Sequence, residues 1–186
     1  VLSPSRKGET GTTNLNRRLQ EALNPPAENK KEKLFGETVF RTGDRVIQIK
    51  NNYDIIWKGK NGQSGTGIYN GDIGVIAEID TASESVTVDY EDKLAYYGFD
   101  MLGELEHAWA LTVHKSQGSE YTAVILALNS GVQMLLTRGV LYTAVTRAKQ
   151  LLIMVGDDSV AHRMIDNHKQ SRRYSALRIR LADENA

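Results

Sequence analysis

Leu111-Thr112-Val113-His114-Lys115-Ser116-Gln117-Gly118-Ser119-Glu120-Tyr121 opens the part of the chain whose pattern decides the fold. An apolar strand, read from His107 to Val113, runs into six polar or glycine residues before the chain turns apolar again at Ala123-Val124-Ile125-Leu126-Ala127-Leu128. From 133 to 149 the apolar residues Leu136, Val140, Leu141, Ala144, Val145 and Ala148 recur at helical spacing. Leu151–Gly156 is another unbroken apolar run, and Asp157 or Asp158 is placed to cap a last helix reaching about His168. Continuous rather than alternating apolar runs are the mark of strands buried on both faces. Strands that alternate with helices predict a parallel sheet covered on both sides, an α/β fold.

Working outward, the first forty residues supply a helix and a stop. Thr12 or Thr13 is a fitting cap for a helix to about Leu23, with Leu15, Leu19, Ala22 and Leu23 as its apolar stripe. Asn24-Pro25-Pro26 ends it, because proline cannot donate into a helix and biases its predecessor away from helical geometry. Residues 27–38 are polar and rich in Lys and Glu, the composition of a linker. The period then changes. Val46–Ile49, Ile73–Ile79 and Ser85–Tyr90 are short and rich in β-branched residues, and between the first two lie Gly59, Gly62, Gly65, Gly67 and Gly71, suited to tight turns and a long hairpin loop. Short strands parted by glycine turns predict a small β-barrel that interrupts the α/β domain.

Composition removes several classes. The 186 residues hold no cysteine, which excludes a disulfide scaffold and a zinc finger. No apolar run approaches the ~20 residues that span a bilayer. The chain opens on Val1-Leu2-Ser3-Pro4 without a signal-like segment, and reads as a monomeric, cytoplasmic piece of a longer polypeptide. His107, His162 and His168 have no partners at ligand spacing, so no metal site is expected. The net charge is zero, but by segment it is +2 over 1–40, −6 over 41–107 and +4 over 108–186. Fields act within a Debye length of ~10 Å, so a zero total is compatible with a basic working surface.

Two segments carry chemistry. In open α/β sheets ligands bind beyond the carboxyl ends of strands, where the 114–120 loop falls. Gly118 would let backbone N–H groups approach a phosphate, and Glu120 could accept from sugar hydroxyls. Thr112, His114, Lys115 and Ser116 are suitable donors to a phosphodiester backbone. The plain alternative is a polar surface loop. In Leu141-Tyr142-Thr143-Ala144-Val145-Thr146-Arg147-Ala148-Lys149, Arg147 is predicted on a helix face away from the apolar positions. It is either an exposed cation worth less than ~1 kcal/mol in a surface pair, or an arginine whose planar fork meets a transferring phosphoryl group. In the barrel, Arg45, Lys50, Asn51, Asn52, Tyr53, Trp57, Lys58 and Lys60 combine cations, amides and rings. That mixture suits single-stranded nucleic acid, while the alternative puts Tyr53 and Trp57 in the barrel core.

Together the two segments resemble motifs V and VI of superfamily 1 DNA helicases, in the form of the RecD-like branch (exodeoxyribonuclease V α-subunit-like, with a UvrD-like C-terminal domain). The 2–8 and 15–26 stretches are similar to the surroundings of motif IV, and Gly43-Asp44-Arg45-Val46, Asn51-Asn52-Tyr53-Asp54 and Tyr69-Asn70-Gly71-Asp72 to the branch's inserted SH3-like barrel. The resemblance implies a second RecA-like motor domain of the P-loop NTPase fold over 1–41 and 107–186, with the barrel inserted at 42–106. It implies Arg147 as the catalytic arginine finger, and Gln117, Gly118, Glu120 and Arg6 as nucleotide contacts. Thr112, His114, Lys115, Ser116, Asn52 and Tyr53 would be the contacts to single-stranded DNA. Expected partners are single-stranded DNA, the upstream RecA-like domain and other exonuclease subunits, with no membrane. ATP and Mg2+ would be bound mainly by that upstream domain, because this chain has no Gly-x-x-x-x-Gly-Lys-[Ser/Thr] and no strand ending in Asp-Glu. The expected role is the C-terminal half of an ATP-dependent helicase or translocase used in DNA repair and recombination, moving 5′-to-3′ and inactive as this piece alone. The alternatives are the helicase region of a conjugative relaxase and a non-hydrolysing DNA-binding platform.

Overall fold

The computed structural model describes residues 1–129 and 133–168. In chain order they form β1 (Leu2–Ser3), α1 (Thr12–Leu23), β2 (Glu32–Phe35), β3 (Thr38–Arg41), β4 (Arg45–Gln48), β5 (Asn52–Gly59) and β6 (Ser64–Ile68). These are followed by β7 (Ile73–Asp80), β8 (Ser85–Asp89), β9 (Lys93–Gly98), β10 (Leu105–His107), β11 (Leu111–Thr112), β12 (Tyr121–Leu128), α2 (Arg138–Val145), β13 (Ala148–Gly156) and α3 (Asp158–Asp166). Short 3-10 turns at Phe99–Glu104 and Gln133–Leu135 complete the described elements.

Two sheets carry the fold. The first is parallel throughout, in the order β11-β1-β12-β13, with Leu2 opposite both Leu111 and Leu126. The second is antiparallel, in the order β10-β4-β7-β8-β9-β5-β6, and curls around a core that includes Phe40, Val46, Ile55, Ile68, Ile76, Ile79, Val86, Val88, Tyr97 and Leu105. The expected architecture, an α/β sheet interrupted by a small antiparallel sheet, is therefore present. Strand β4 joins the two cores: Val46 points into the antiparallel core, whereas its neighbour Ile47 packs with Leu2, Leu111, Val124 and Leu126. The period of two along a strand puts adjacent residues on opposite faces, which is how one short strand serves two cores.

Several local expectations change. Residues 27–38 are not wholly linker, because β2 and β3 pair as a hairpin that turns at Gly36, where φ is +57°. The glycine-rich stretch is not a long loop but the β5–β6 hairpin. The predicted strand 107–113 divides: β10 pairs antiparallel with β4, and β11 enters the parallel sheet. The predicted helix 133–149 shortens to α2, capped by the Thr137 hydroxyl, which accepts from Val140 N–H. It stops before Arg147 because the sheet takes Ala148 as the partner of Tyr121.

Helix α1 has the expected length and an unexpected orientation. Its N-cap is Gly11, and its first two amides donate to the carbonyls of Ser5 and Arg6. Its buried face is polar, formed by Thr12, Asn16 and Gln20 at intervals of four, while Leu23 of the apolar stripe is 63% exposed. Strand β13, expected to be buried, is the sheet edge, and Leu151, Ile153, Met154 and Val155 are exposed among the described residues. On the neighbouring β12, Val124, Leu126 and Leu128 are buried against Leu136, Ala144, Val160 and Met164 of the helical layer. Asp157 caps α3 as predicted, accepting from Ser159 N–H at 2.8 Å. No helix among the described residues is long and apolar enough to cross a membrane. The basic residues Arg172, Arg173, Arg178 and Arg180 lie outside the described residues.

Candidate functional site

The loop that leaves β11 is built by its own backbone. Ser116 N–H donates to Thr112 C=O, Gln117 N–H to His114 C=O and Ser119 N–H to Ser116 C=O, so the chain coils through successive tight turns. Lys115 N–H donates to the Thr112 hydroxyl oxygen at 3.2 Å. Gly118 adopts φ +85°, and a Cβ there would meet nothing within 4 Å, so backbone conformation alone requires glycine. These turns leave His114, Gln117, Gly118 and Glu120 exposed. Ser116 is placed differently from expectation. It is fully buried, and its hydroxyl donates to Val113 C=O at 2.8 Å, so it closes the loop from inside instead of facing a ligand.

Arg147 stands in the turn between α2 and β13, not on the helix itself. Its guanidinium donates from Nη1 to Ser119 C=O at 3.0 Å, from Nε to Thr143 C=O at 3.2 Å and from Nη2 to the Thr146 hydroxyl at 3.3 Å. Its own carbonyl accepts from Tyr121 N–H. Arg147 and the Gln117–Glu120 stretch are thus brought together, and Lys149 reaches Glu120 at 3.3 Å on the same side. Among the described residues no carboxylate pairs with Arg147. The half-buried guanidinium rests on neutral oxygens only, and charged acceptors bind such a fork about twice as strongly.

Arg6 joins the loop through a residue that no sequence pattern singled out. Glu106, on β10, accepts from Arg6 Nη2 at 2.6 Å on one oxygen and from Lys115 Nζ at 2.8 Å on the other. Partial burial works to raise the Glu106 carboxyl, but the hydrogen bonds and charges of Lys115 and Arg6 outweigh it and hold it below the ordinary glutamate range. In the sequence Glu106 was one acid among ten in the 61–107 stretch, without a distinguishing spacing.

Asn52 and Tyr53 stand on β5 in the other sheet. The Asn52 amide donates to both oxygens of Glu104 at 3.0 Å, and its carbonyl accepts from Asp54 N–H, so its side chain braces the barrel. Tyr53 is exposed and meets Tyr69 edge-to-face, with ring centroids 5.9 Å apart. Trp57 is partly buried against the barrel core under Lys93. The two aromatics thus divide between the alternatives: Tyr53 is on the surface and Trp57 on the core. Among the described residues no group of three or more acidic or histidine side chains is placed to hold a metal ion.

Comparison with known proteins gives two family matches. The model of the SH3 domain of ATP-dependent RecD-like DNA helicases matches residues 15–90, and that of the UvrD-like helicase C-terminal domain matches 107–155. An ATP-dependent RecD2 DNA helicase of Deinococcus radiodurans is 33% identical over 181 residues, which is 97% of this chain and 23% of that protein. A RecBCD enzyme subunit RecD of Mycobacterium tuberculosis (strain H37Rv) is 33% identical over 181 residues, or 97% of this chain and 28% of that subunit. The chain therefore spans about a quarter of the length of these relatives. Among solved structures, Pif1 helicases described as coordinating at forked dsDNA superpose with TM-score 0.51 at 17% identity, over 95% of this chain and 43% of theirs. Bacteroides Pif1 bound to ssDNA gives 0.50 at 15% identity, over 100% of this chain and 45% of its own. These two likenesses are of fold: a RecA-like parallel sheet with an inserted SH3-like barrel.

Proposed function

Because this chain belongs to the RecD-like helicases and carries their SH3 domain with a UvrD-like C-terminal domain, we propose that it is the C-terminal half of an ATP-dependent DNA helicase or translocase. Its motor portion is 1–41 with 107–186, and its barrel is 42–106. The observation that carries the proposal is the guanidinium of Arg147, half-buried, aimed at Ser119 C=O of the exposed loop and free of any carboxylate among the described residues.

Arg147 is the arginine finger. The three neutral acceptors hold the fork in place and release it readily to the γ-phosphate of ATP, whose charge it meets in two parallel hydrogen bonds. Gln117 and Gly118 line the nucleotide cleft, Glu120 lies toward the ribose, and Arg6 approaches from the loop after β1. The phosphate-binding lysine and the magnesium ligands belong to the upstream RecA-like domain, so the ATP site is composite. Thr112, His114 and Lys115 contact the backbone of single-stranded DNA, and Tyr53 with Tyr69 offers a stacking surface on the barrel. Movement is 5′-to-3′, as in the branch that the motifs resemble, and exonuclease subunits are partners where the full protein assembles with them.

The test is Arg147→Ala in the full-length protein. A finger contributes ~10³–10⁵ in rate, so DNA-stimulated ATP hydrolysis falls by at least ~10³. Single-stranded DNA affinity stays close to the parent's, and Arg147→Lys does not restore turnover because an ammonium lacks the planar fork. Hydrolysis near the parent rate in Arg147→Ala refutes the assignment.

A further inference from the structure

The chain passes between the parallel sheet and the barrel twice, entering over Arg41–Asp44 and leaving over His107–Ala110. One face of α1 holds both crossings. Asn16 donates to His107 C=O and Ala110 C=O at 3.0 Å each and accepts from Ala110 N–H at 2.7 Å, which clamps the exit. Gln20 donates to Val39 C=O at 2.9 Å and to Asp44 Oδ2 at 2.6 Å. Asn24 donates to Thr42 C=O at 3.2 Å and to Asp44 Oδ1 at 2.8 Å, which clamps the entry. This explains why α1 buries amides and not leucines: the groups it covers are the chain crossings themselves.

The hub is Asp44. It is fully buried, and its Oδ2 also receives Arg41 N–H at 2.7 Å and meets His107 Nε2 at 3.1 Å. Four elements thus converge on one carboxylate: α1, the β2–β3 hairpin, the start of β4 and the end of β10. Gly43 lets this happen, since its φ is +91° and a Cβ would press within 3.2 Å of the Asn24 side chain. Apart from the partly exposed Arg6–Glu106–Lys115 link, the other described barrel-to-sheet contact is apolar, through Ile47, Ile49 and Ile73. Apolar contact holds two bodies together without fixing their angle, whereas hydrogen bonds are directional. A buried carboxylate is retained only when its partners are aligned, so it penalises every other angle.

We propose that Asp44 is a positioning residue, which sets the barrel at one angle on the motor so that a single DNA strand meets the Tyr53–Tyr69 surface and the Thr112–Lys115 loop at a fixed separation. The proposal rests on the helicase reading for its consequence but not for its geometry. Its role is to couple hydrolysis to strand movement, not to touch either substrate.

The test uses the full-length protein, in a background free of other cysteines, with spin labels at Thr81→Cys on the barrel and Arg163→Cys on α3. The unsubstituted hub gives one narrow label-to-label distance distribution. Asp44→Asn places an amide N–H₂ against existing donors, broadens that distribution, and lowers the base pairs unwound per ATP, because a charge-assisted hydrogen bond no longer favours the parent angle. The turnover number for hydrolysis stays within about twofold because no catalytic contact is lost. Where Asp44→Asn does not fold, Gln20→Met removes one donor at nearly constant length and gives the same broadening. An unchanged distance distribution in both single variants overturns the proposal. A parent protein without DNA-stimulated hydrolysis defeats the helicase reading instead, and the distance readout then still judges Asp44.

Discussion

Removing the Tyr97 hydroxyl tests the polar chain that runs through the barrel. Tyr97 is fully buried, and its hydroxyl donates to Gln48 Oε1 at 3.0 Å, so the 2.7 Å contact with Tyr90 requires Tyr90 to be the donor. Gln48 Nε2 in turn donates to Glu104 at 2.9 Å, and Glu104 also accepts from Asn52 and Lys50. Every proton in the chain points toward the carboxylate, an order in which each bond polarises the next. Burial pushes both tyrosine hydroxyls well above their ordinary range, so neither ionises under assay conditions. Tyr97→Phe keeps the ring and deletes two hydrogen bonds, leaving the Tyr90 hydroxyl without an acceptor and the Gln48 carbonyl without its donor. At about 1 kcal/mol per bond plus the cost of the stranded groups, the loss is about 2–4 kcal/mol. Tyr90→Phe deletes one bond and costs about 1 kcal/mol. The double variant strands one group fewer, so it falls short of the sum by about 1 kcal/mol. Urea titration followed by Trp57 fluorescence reads the barrel, in a Trp109→Phe background. That background change sacrifices no hydrogen bond, since Trp109 Nε1 has no partner among the described residues. Tyr97→Phe within about 0.5 kcal/mol of its parent refutes the polarised chain, and strict additivity refutes the coupling.

Two further outcomes follow from local geometry. Gly156→Ala is expected to abolish soluble folding, because its Cβ would lie 1.5 Å from Leu128 C=O, a clash with backbone that no side-chain movement relieves; a cooperative melt near the parent temperature would refute this. For Glu106, whose carboxyl is held below its ordinary range, the stabilisation is present above the unfolded value near 4.3 and is lost as pH falls through the folded value. Glu106→Gln should therefore flatten the acid limb of the stability profile below about pH 4.5, and an unchanged limb would count against the Arg6–Glu106–Lys115 link.

The fold was legible where apolar periodicity and glycine spacing act locally. The parallel strands near 123–128 and 151–156 and the antiparallel strands 46–49, 73–79 and 85–90 all appear close to their predicted places. Three features escaped, each for a physical reason. The amphipathic rule placed the leucines of α1 inward, but the surface it meets is made of chain crossings with peptide groups to satisfy, so amides are buried there. Helical spacing ran through Ala148, yet a sheet partner claimed that residue, and no local signal foretells such competition. Strand β1 is two residues long, too short for any period, although it lies between β11 and β12. At the site, motif spacing drew attention to the 112–120 loop and to Arg147, which the fold brings together. It did not reveal the part played by Glu106 or Asp44, because each acid gains meaning only from partners on separate elements, at irregular spacings from 3 to 100 residues.

The segmental charges acquire a different meaning once the partners are known. Three cations expected to meet nucleic acid already face an acid: Lys50 on Glu104, Lys60 on Asp89 and Lys115 on Glu106; Lys149 likewise faces Glu120. Such partly exposed pairs contribute at most ~1 kcal/mol each, so they hold side chains in place without locking them. A phosphate that takes one of these cations exchanges one anion for another, and fewer counterions are released than the number of lysines would suggest. On the proposed reading as a DNA motor, balanced charge would let this surface grip and release a strand repeatedly, and a strongly basic surface would serve that less well.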